Sequence, residues 1–130
     1  VGGGEAMIVA GVGFSSNCGP EELAELVRQA QADAGRIATA LAAPAWKADA
    51  ACLRAAAELL ALPILAVSPD QLAAVAGRSV TESAASRAAA GVGSVAETAA
   101  LAGAGAGSRL ALTRISSAHA TCALSEGNPS

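Results

Sequence analysis

Apolar residues run without polar alternation from Ala6 to Val12 (AMIVAGV), so a short, fully buried strand is expected there. A polar loop from Phe14 to Gly19 follows. Pro20 then opens a helix at the position where its missing N–H costs nothing. Leu23, Leu26, Val27, Ala30 and Ala34 recur on one helical face, with Glu21, Glu22, Glu25 and Arg28 on the other, and Gly35 supplies the stop. The pattern repeats in diluted form. Arg36 to Leu41 is a second strand candidate broken by Pro44, and Ala45 to Asp49 is a loop. Asp49 caps a helix running to about Leu60, with Leu53, Ala56, Ala57 and Leu60 inward, and Pro63 to Val67 is a third strand.

Beyond Val67 the polar residues take over the punctuation. Ser68/Gln71, Ser79/Glu82 and Ser94/Glu97 each place Ser three residues before Gln or Glu, the spacing of a reciprocal capping box, so three short helices are expected. Gly77, Gly91 and Gly103 are read as their stops, and Gly103 to Ser108 as a flexible connector. Arg109 to Ile115 and Ala120 to Leu124 alternate as strands, with Ser116 to His119 as the hairpin turn. The expected fold is α/β: a mixed, mainly parallel sheet with helices on both faces and a C-terminal β-hairpin. Residues 1–5 are read as a flexible leader, 6–125 as a single domain and 126–130 as a frayed tail. Ligands of open sheets sit beyond the carboxyl ends of the strands, which here carry the 11–19 loop, the 42–49 loop and the turn after Val67.

Composition narrows the function. Alanine occurs 37 times, whereas Leu, Ile, Val and Phe together number 27, so helices are expected to pack closely through small side chains. Eight Lys or Arg against eleven Asp or Glu, net charge −3, exclude a nucleic-acid binder working by bulk charge. With one Phe, one Trp and no Tyr, an aromatic platform for single strands is excluded as well. Cys18, Cys52 and Cys122 are far apart, with no C-x-x-C, so neither a zinc ribbon nor a thioredoxin-type centre is encoded. The odd count and the lack of a secretory signal point to the reducing cytoplasm. No uninterrupted apolar run reaches about 18 residues, and no membrane span is expected.

Candidate chemistry is sparse. Gly11 and Gly13 form a strand-to-helix turn, but the third glycine of a dinucleotide fingerprint is replaced by Ser16. The turn still permits close backbone approach by a ligand, with Ser15, Ser16 and Asn17 as hydrogen-bonding groups. Lys47 beside Trp46 can bind a carboxylate with Asp49 holding it in place; the alternative is a solvated lysine and a capping aspartate. Glu97 has a structural role in its capping box, and it and Asp49 are the candidates for a general base. His119, the only histidine, reads as a surface turn residue with no second histidine for a metal set. Cys122 reads as a core residue, and Cys18 as a thiol whose reactivity its loop leaves open. Arg109 and Arg114 fall on opposite faces of one strand.

Taken in order, MIVAGVGF at the first strand, AWKAD at 45–49, SVAETAAL at 94–101 and RISSAHATCALS at 114–125 resemble the CobE family of cobalamin-biosynthesis proteins. That family is in turn similar to the C-terminal domain of the cobalt-precorrin hydrolase CbiG. The resemblance spans Met7 to Leu124. It implies a role in corrin-ring assembly: binding or escorting a precorrin in the oxygen-dependent route, before cobalt is inserted. The alternatives it leaves are a lactone hydrolase of the CbiG type, releasing acetaldehyde, and a non-catalytic module for other enzymes of the pathway. No cofactor or metal is implied. Gly11, Gly13, Lys47, Asp49, Ser94 and Glu97 match the family's motifs; Ala50 stands where a further acidic residue is expected, and no basic residue follows Phe14. A polycarboxylate ring would be received at Gly11, Gly13, Phe14, Ser15 and Ser16, at Lys47 and Asp49, at Ser94 and Glu97, and by Arg114.

Overall fold

The computed structural model describes residues 7–78, 94–105 and 107–127. Strand β1 (Ile8–Phe14) leads through helix α1 (Pro20–Ala34) to β2 (Ala40–Pro44), a 3-10 turn (Ala45–Lys47) and α2 (Ala51–Leu60). Then come β3 (Ile64–Val67), α3 (Pro69–Ala74), a second 3-10 turn (Ala76–Arg78), α4 (Val95–Ala104), β4 (Arg109–Ser116) and β5 (Ala120–Glu126). The sheet order is β3-β2-β1-β5-β4. Strands β1, β2 and β3 are parallel, β5 is antiparallel to β1, and β4 is antiparallel to β5. This is the expected mixed α/β sheet with helices on both faces and a closing hairpin.

The two faces separate with the period of the strands. Ile8, Ala10, Val12, Leu41, Ala43, Cys122 and Leu124 pack under α1 and α2 against Leu23, Leu26, Val27, Leu53 and Ala56. Val9, Ala42 and Val67 point the other way, with Leu72 and Ala99. On that side α4 lies almost on the sheet. A β-carbon at Gly11 would overlap the Ala96 carbonyl and the Ala100 backbone, and one at Gly103 would stand 3.0 Å from Ala42 Cβ. Alanine and glycine are thus what let this helix and β1 approach.

Several boundaries differ from expectation. Strand β1 extends to Phe14 because β5 pairs with every position from Ile8 to Phe14. Strand β2 begins at Ala40, not Arg36: Ala38 N–H is taken by Gln31 Oε1 and Ile37 is 79% exposed, so residues 36–39 turn toward the sheet. Pro44 closes the strand rather than breaking it earlier, at an end where its missing N–H is tolerated. Asp49 caps nothing; Ala50 N–H bonds to Lys47 carbonyl, which continues the tight turn and moves the cap to Ala50. Gly77 lies in a 3-10 turn after α3 has ended, and Gly103 lies inside α4, which stops at Gly105 with φ +95°. Of the expected capping boxes, the one at Ser68 is complete. At Ser94 only half forms: Ser94 Oγ accepts Glu97 N–H, while Glu97 Oε2 accepts Arg114 N–H at 2.9 Å. Strand β5 runs on through Glu126. The expected leader 1–5, the helix at Ser79/Glu82, the stop at Gly91 and residues 128–130 lie outside the described residues. Among the described residues, no helix is long and apolar enough to cross a membrane.

Gly11→Ala is expected to lower unfolding free energy by about 3 kcal/mol, because the Ala96 backbone cannot yield to the added methyl. Gly77→Ala, where a β-carbon meets nothing within 4 Å, is expected to stay within about 0.5 kcal/mol of the parent. Urea denaturation midpoints compare the two.

Candidate functional site

The parallel strands β1 and β2 and the antiparallel hairpin deliver their ends to one edge of the sheet. There Gly13, Phe14 and Ser15, the turn residues Trp46 and Lys47, Arg114 of β4 and the hairpin tip from Ser116 to Thr121 line an open cleft of about 380 Å³. Val95, in the first turn of α4, forms part of the wall. The volume falls in the range of small-molecule clefts.

Each charged group here has a defined anchor. Lys47 Nζ donates to the Phe14 carbonyl at 2.5 Å and lies 4.6 Å from the Phe14 ring centroid, so one lysine ties the end of β1 to the turn after β2. An ammonium has three donors, and the remaining ones stay available to a ligand. Arg114 is half-buried, and its backbone N–H is held by Glu97. Trp46 is 50% exposed beside the cleft.

Behind the hairpin tip, Glu22 in the first turn of α1 collects the groups that the tip offers. Its carboxylate accepts from Ser117 Oγ (2.5 Å) and His119 N–H (2.7 Å), and Oε1 lies 3.0 Å from His119 Nδ1. The Ser117 hydroxyl bond is the foremost cause, followed by the bonds to His119, and together they hold the Glu22 carboxyl down at about 2 against an ordinary 4.5. Glu22 is therefore ionised at any neutral pH.

Of the residues expected at a ligand site, Gly13, Phe14, Ser15, Lys47 and Arg114 come together in this cleft. Gly11, Ser16, Asp49, Ser94 and Glu97 are not among its lining residues. Gly11 is covered by α4. Ser16 and Asp49 are exposed outside the cleft, Ser94 is the buried cap of α4, and Glu97 is fully buried beneath β4. The hairpin tip, Glu22 and Trp46 are the residues that sequence reasoning left out. For Trp46 the available signal is an aromatic residue beside a lysine on a strand-end loop, a place with little need for a core side chain. For Glu22 and the tip no signal existed, since their meeting requires knowing that β5 lies beside β1. Burial, followed by the neighbouring Cys52, pushes the Cys18 thiol up to about 12, so it stays protonated and unreactive near neutrality. Burial alone does the same for Cys122.

An open α/β sheet with its cleft beyond the carboxyl ends of parallel strands belongs to the class of domains that take ligands at that edge. More narrowly, the chain belongs to the family described as the cobalamin synthesis G C-terminus, whose model matches residues 8–125. This makes it a CobE- and CbiG-like protein of cobalamin biosynthesis. The crystal structure of CobE, a protein from the cobalamin (vitamin B12) biosynthetic pathway, is similar at TM-score 0.87 and 32% identity, over 96% of this chain and 93% of that one. The cobalamin biosynthesis protein chiG from Agrobacterium tumefaciens is similar at TM-score 0.74 and 38% identity, over 92% and 97% of the two chains. A homolog of cobalamin biosynthesis protein G from Sulfolobus solfataricus shares the fold at TM-score 0.63 and 18% identity, over 93% of this chain and 37% of that one. A search of curated proteins gives no match.

The Glu22 tie has a signed pH dependence. A carboxyl with a depressed folded pKa contributes stability that is fully present above about pH 4.5 and is lost as pH falls toward 2. Glu22→Gln is expected to be less stable than the parent at neutral pH, with the gap closing over that interval. Thermal melts from pH 7 down to pH 2 measure it.

Proposed function

We propose that the cleft binds a precorrin-type tetrapyrrole and that the protein escorts this intermediate between enzymes of corrin-ring assembly in the oxygen-dependent route. The observation that carries the reading is the placing of Phe14 and Trp46 next to Lys47 and Arg114 along one open cleft. A precorrin is a broad, partly apolar ring fringed with carboxylates. Apolar surface with cations beside it is the chemistry that receives such a ring. The chain as a whole is acidic, so attraction is local to the cleft. Family membership supports the same pathway.

Escort is favoured over lactone hydrolysis by the positions of the two carboxylates nominated as general base. Asp49 stands outside the cleft, and Glu97 is buried with one oxygen committed to Arg114 N–H.

Titration with a metal-free corrin polycarboxylic acid is expected to give a saturable absorbance change without turnover. Acetaldehyde release from a lactone-bearing precorrin would instead make the protein a hydrolase. Silence in both assays, with capture of a pathway methyltransferase, would make it an interaction module. Lys47→Ala is expected to weaken binding about tenfold, the worth of one charge-assisted hydrogen bond, and Lys47→Arg to restore most of it. Unchanged affinity in Lys47→Ala would remove this loop from the site.

A further inference from the structure

An open sheet has two edge strands, and here they are finished differently. Strand β4 is blunted: its pairing with β5 slips between Leu110 and Leu112 and again between Leu112 and Ile115, and Glu97 takes the Arg114 N–H. Strand β3 carries no such device. It pairs with β2 alone, in unbroken register from Ile64 to Val67. The Leu41 N–H donates to the Pro63 carbonyl, so by the alternation of a parallel ladder residues 63, 65 and 67 face β2. Ile64 and Ala66 therefore turn their N–H and C=O groups outward, and among the described residues these groups have no partner. Ala66 is exposed, Ile64 and Leu65 are half-buried, and no charged residue occurs between Glu58 and Asp70 to keep another strand away.

Helix α2 supplies the charges that select the occupant. Cys52 packs toward Cys18, just ahead of α1. At about 100° per residue, Arg54 and Glu58 fall on the other flank of α2, the side of β3. Both are exposed, and among the described residues neither has an ion pair. They stand one turn apart, to either side of Ala56 near the middle of the helix. We infer that β3 is the interface to a second copy of this chain, joined antiparallel into one continuous sheet about a two-fold axis at Leu65. That axis sets Ile64 opposite Ala66 twice, each pair exchanging two N–H···O=C bonds, and Leu65 opposite Leu65. It also reverses α2, so that Arg54 of each copy faces Glu58 of the other. A peptide carrying one sign of charge satisfies only one of these two residues, whereas an identical edge satisfies both. The two clefts then open at opposite ends of the joined sheet, and none of their lining residues belongs to β3.

Sedimentation velocity of the full chain over a range of concentrations is expected to show monomer passing into dimer. The Ile64 and Ala66 amides are expected to gain protection from hydrogen exchange as the dimer fills. Ala66→Pro removes an outward N–H that the fold itself does not use, so this variant is expected to keep its circular dichroism and to stay monomeric. Arg54→Glu and Glu58→Arg each set like charges across the axis, and each is expected to raise the dimer dissociation constant about tenfold. Mixed one to one, they are expected to recover the parent's affinity as a heterodimer, because opposite charges then meet at both contacts. A chain that is monomeric at every concentration overturns the inference, as does a dimer indifferent to Ala66→Pro. If Ala66→Pro does not fold, the charge variants decide. Recovery on mixing upholds the two-fold contact, and unchanged affinity in the single variants, or no recovery in the mixture, overturns it.

Discussion

The close seating of α4 on the sheet is the contact from which the rest of this molecule is built. It works because Gly11 offers no side chain where the Ala96 carbonyl arrives, and because Gly103 faces Ala42 with hydrogen in place of a methyl. A helix brought this near carries polar groups inside with it, and each has been given a partner. Ser125 Oγ donates to the Ala100 carbonyl, Ser108 Oγ to Leu101 and Thr98 Oγ1 to Ser94. Among the described residues, no buried side-chain nitrogen or oxygen lacks a hydrogen bond. The same seating drives the Glu97 carboxylate beneath β4, where it holds Arg114 N–H, and brings Val95 to the wall of the cleft. Packing on the helix face and the shape of the site are consequences of one approach distance.

The hairpin tip that lines the cleft depends on a single carboxylate. Glu22 would suit the positive end of α1 in any case. In the folded chain it also receives three groups from a hairpin tip about a hundred positions later in the sequence, with |i−j| of 97 to His119. Lys47 performs the matching service for the end of β1 by bonding to the Phe14 carbonyl. Two charged side chains of opposite sign thus clamp the strand ends, and a protein of net charge −3 presents cations to the cleft. The acidic excess lies elsewhere or is already satisfied.

Much of the fold was legible because its signals are local. The proline and glycine that bound α1 and the Ser68 capping box each act within a few residues, and the structure has them where expected; the apolar run of β1 is a strand too, with its end moved to Phe14 by pairing with β5. The misplacements have a common cause. Arg36 to Leu41 contains the same alanines and isoleucine whether it is strand or turn, and only pairing with β1 at Ala40 to Ala42 decides. Glu97 had the spacing of a capping residue, yet the backbone of β4 offered its buried carboxylate the Arg114 N–H, which no local pattern announces. Gly103 read as a stop because sequence alone does not tell a glycine that ends a helix from one that lets a helix touch a sheet.

By itself, the sequence determined the order of elements, the class of fold and the small-residue packing, because periodicity, capping and steric bulk are properties of short stretches of chain. The resemblance of its motifs also placed it in its family. The tertiary structure alone decided that β5 lies between β1 and β4, and with that which side chains share a cleft. Strand order is set by contacts between residues far apart in the chain, and no local pattern encodes them. That is why Lys47 and Arg114 could be nominated in advance, while Glu22 and His119 became a pair only once the hairpin was folded against α1.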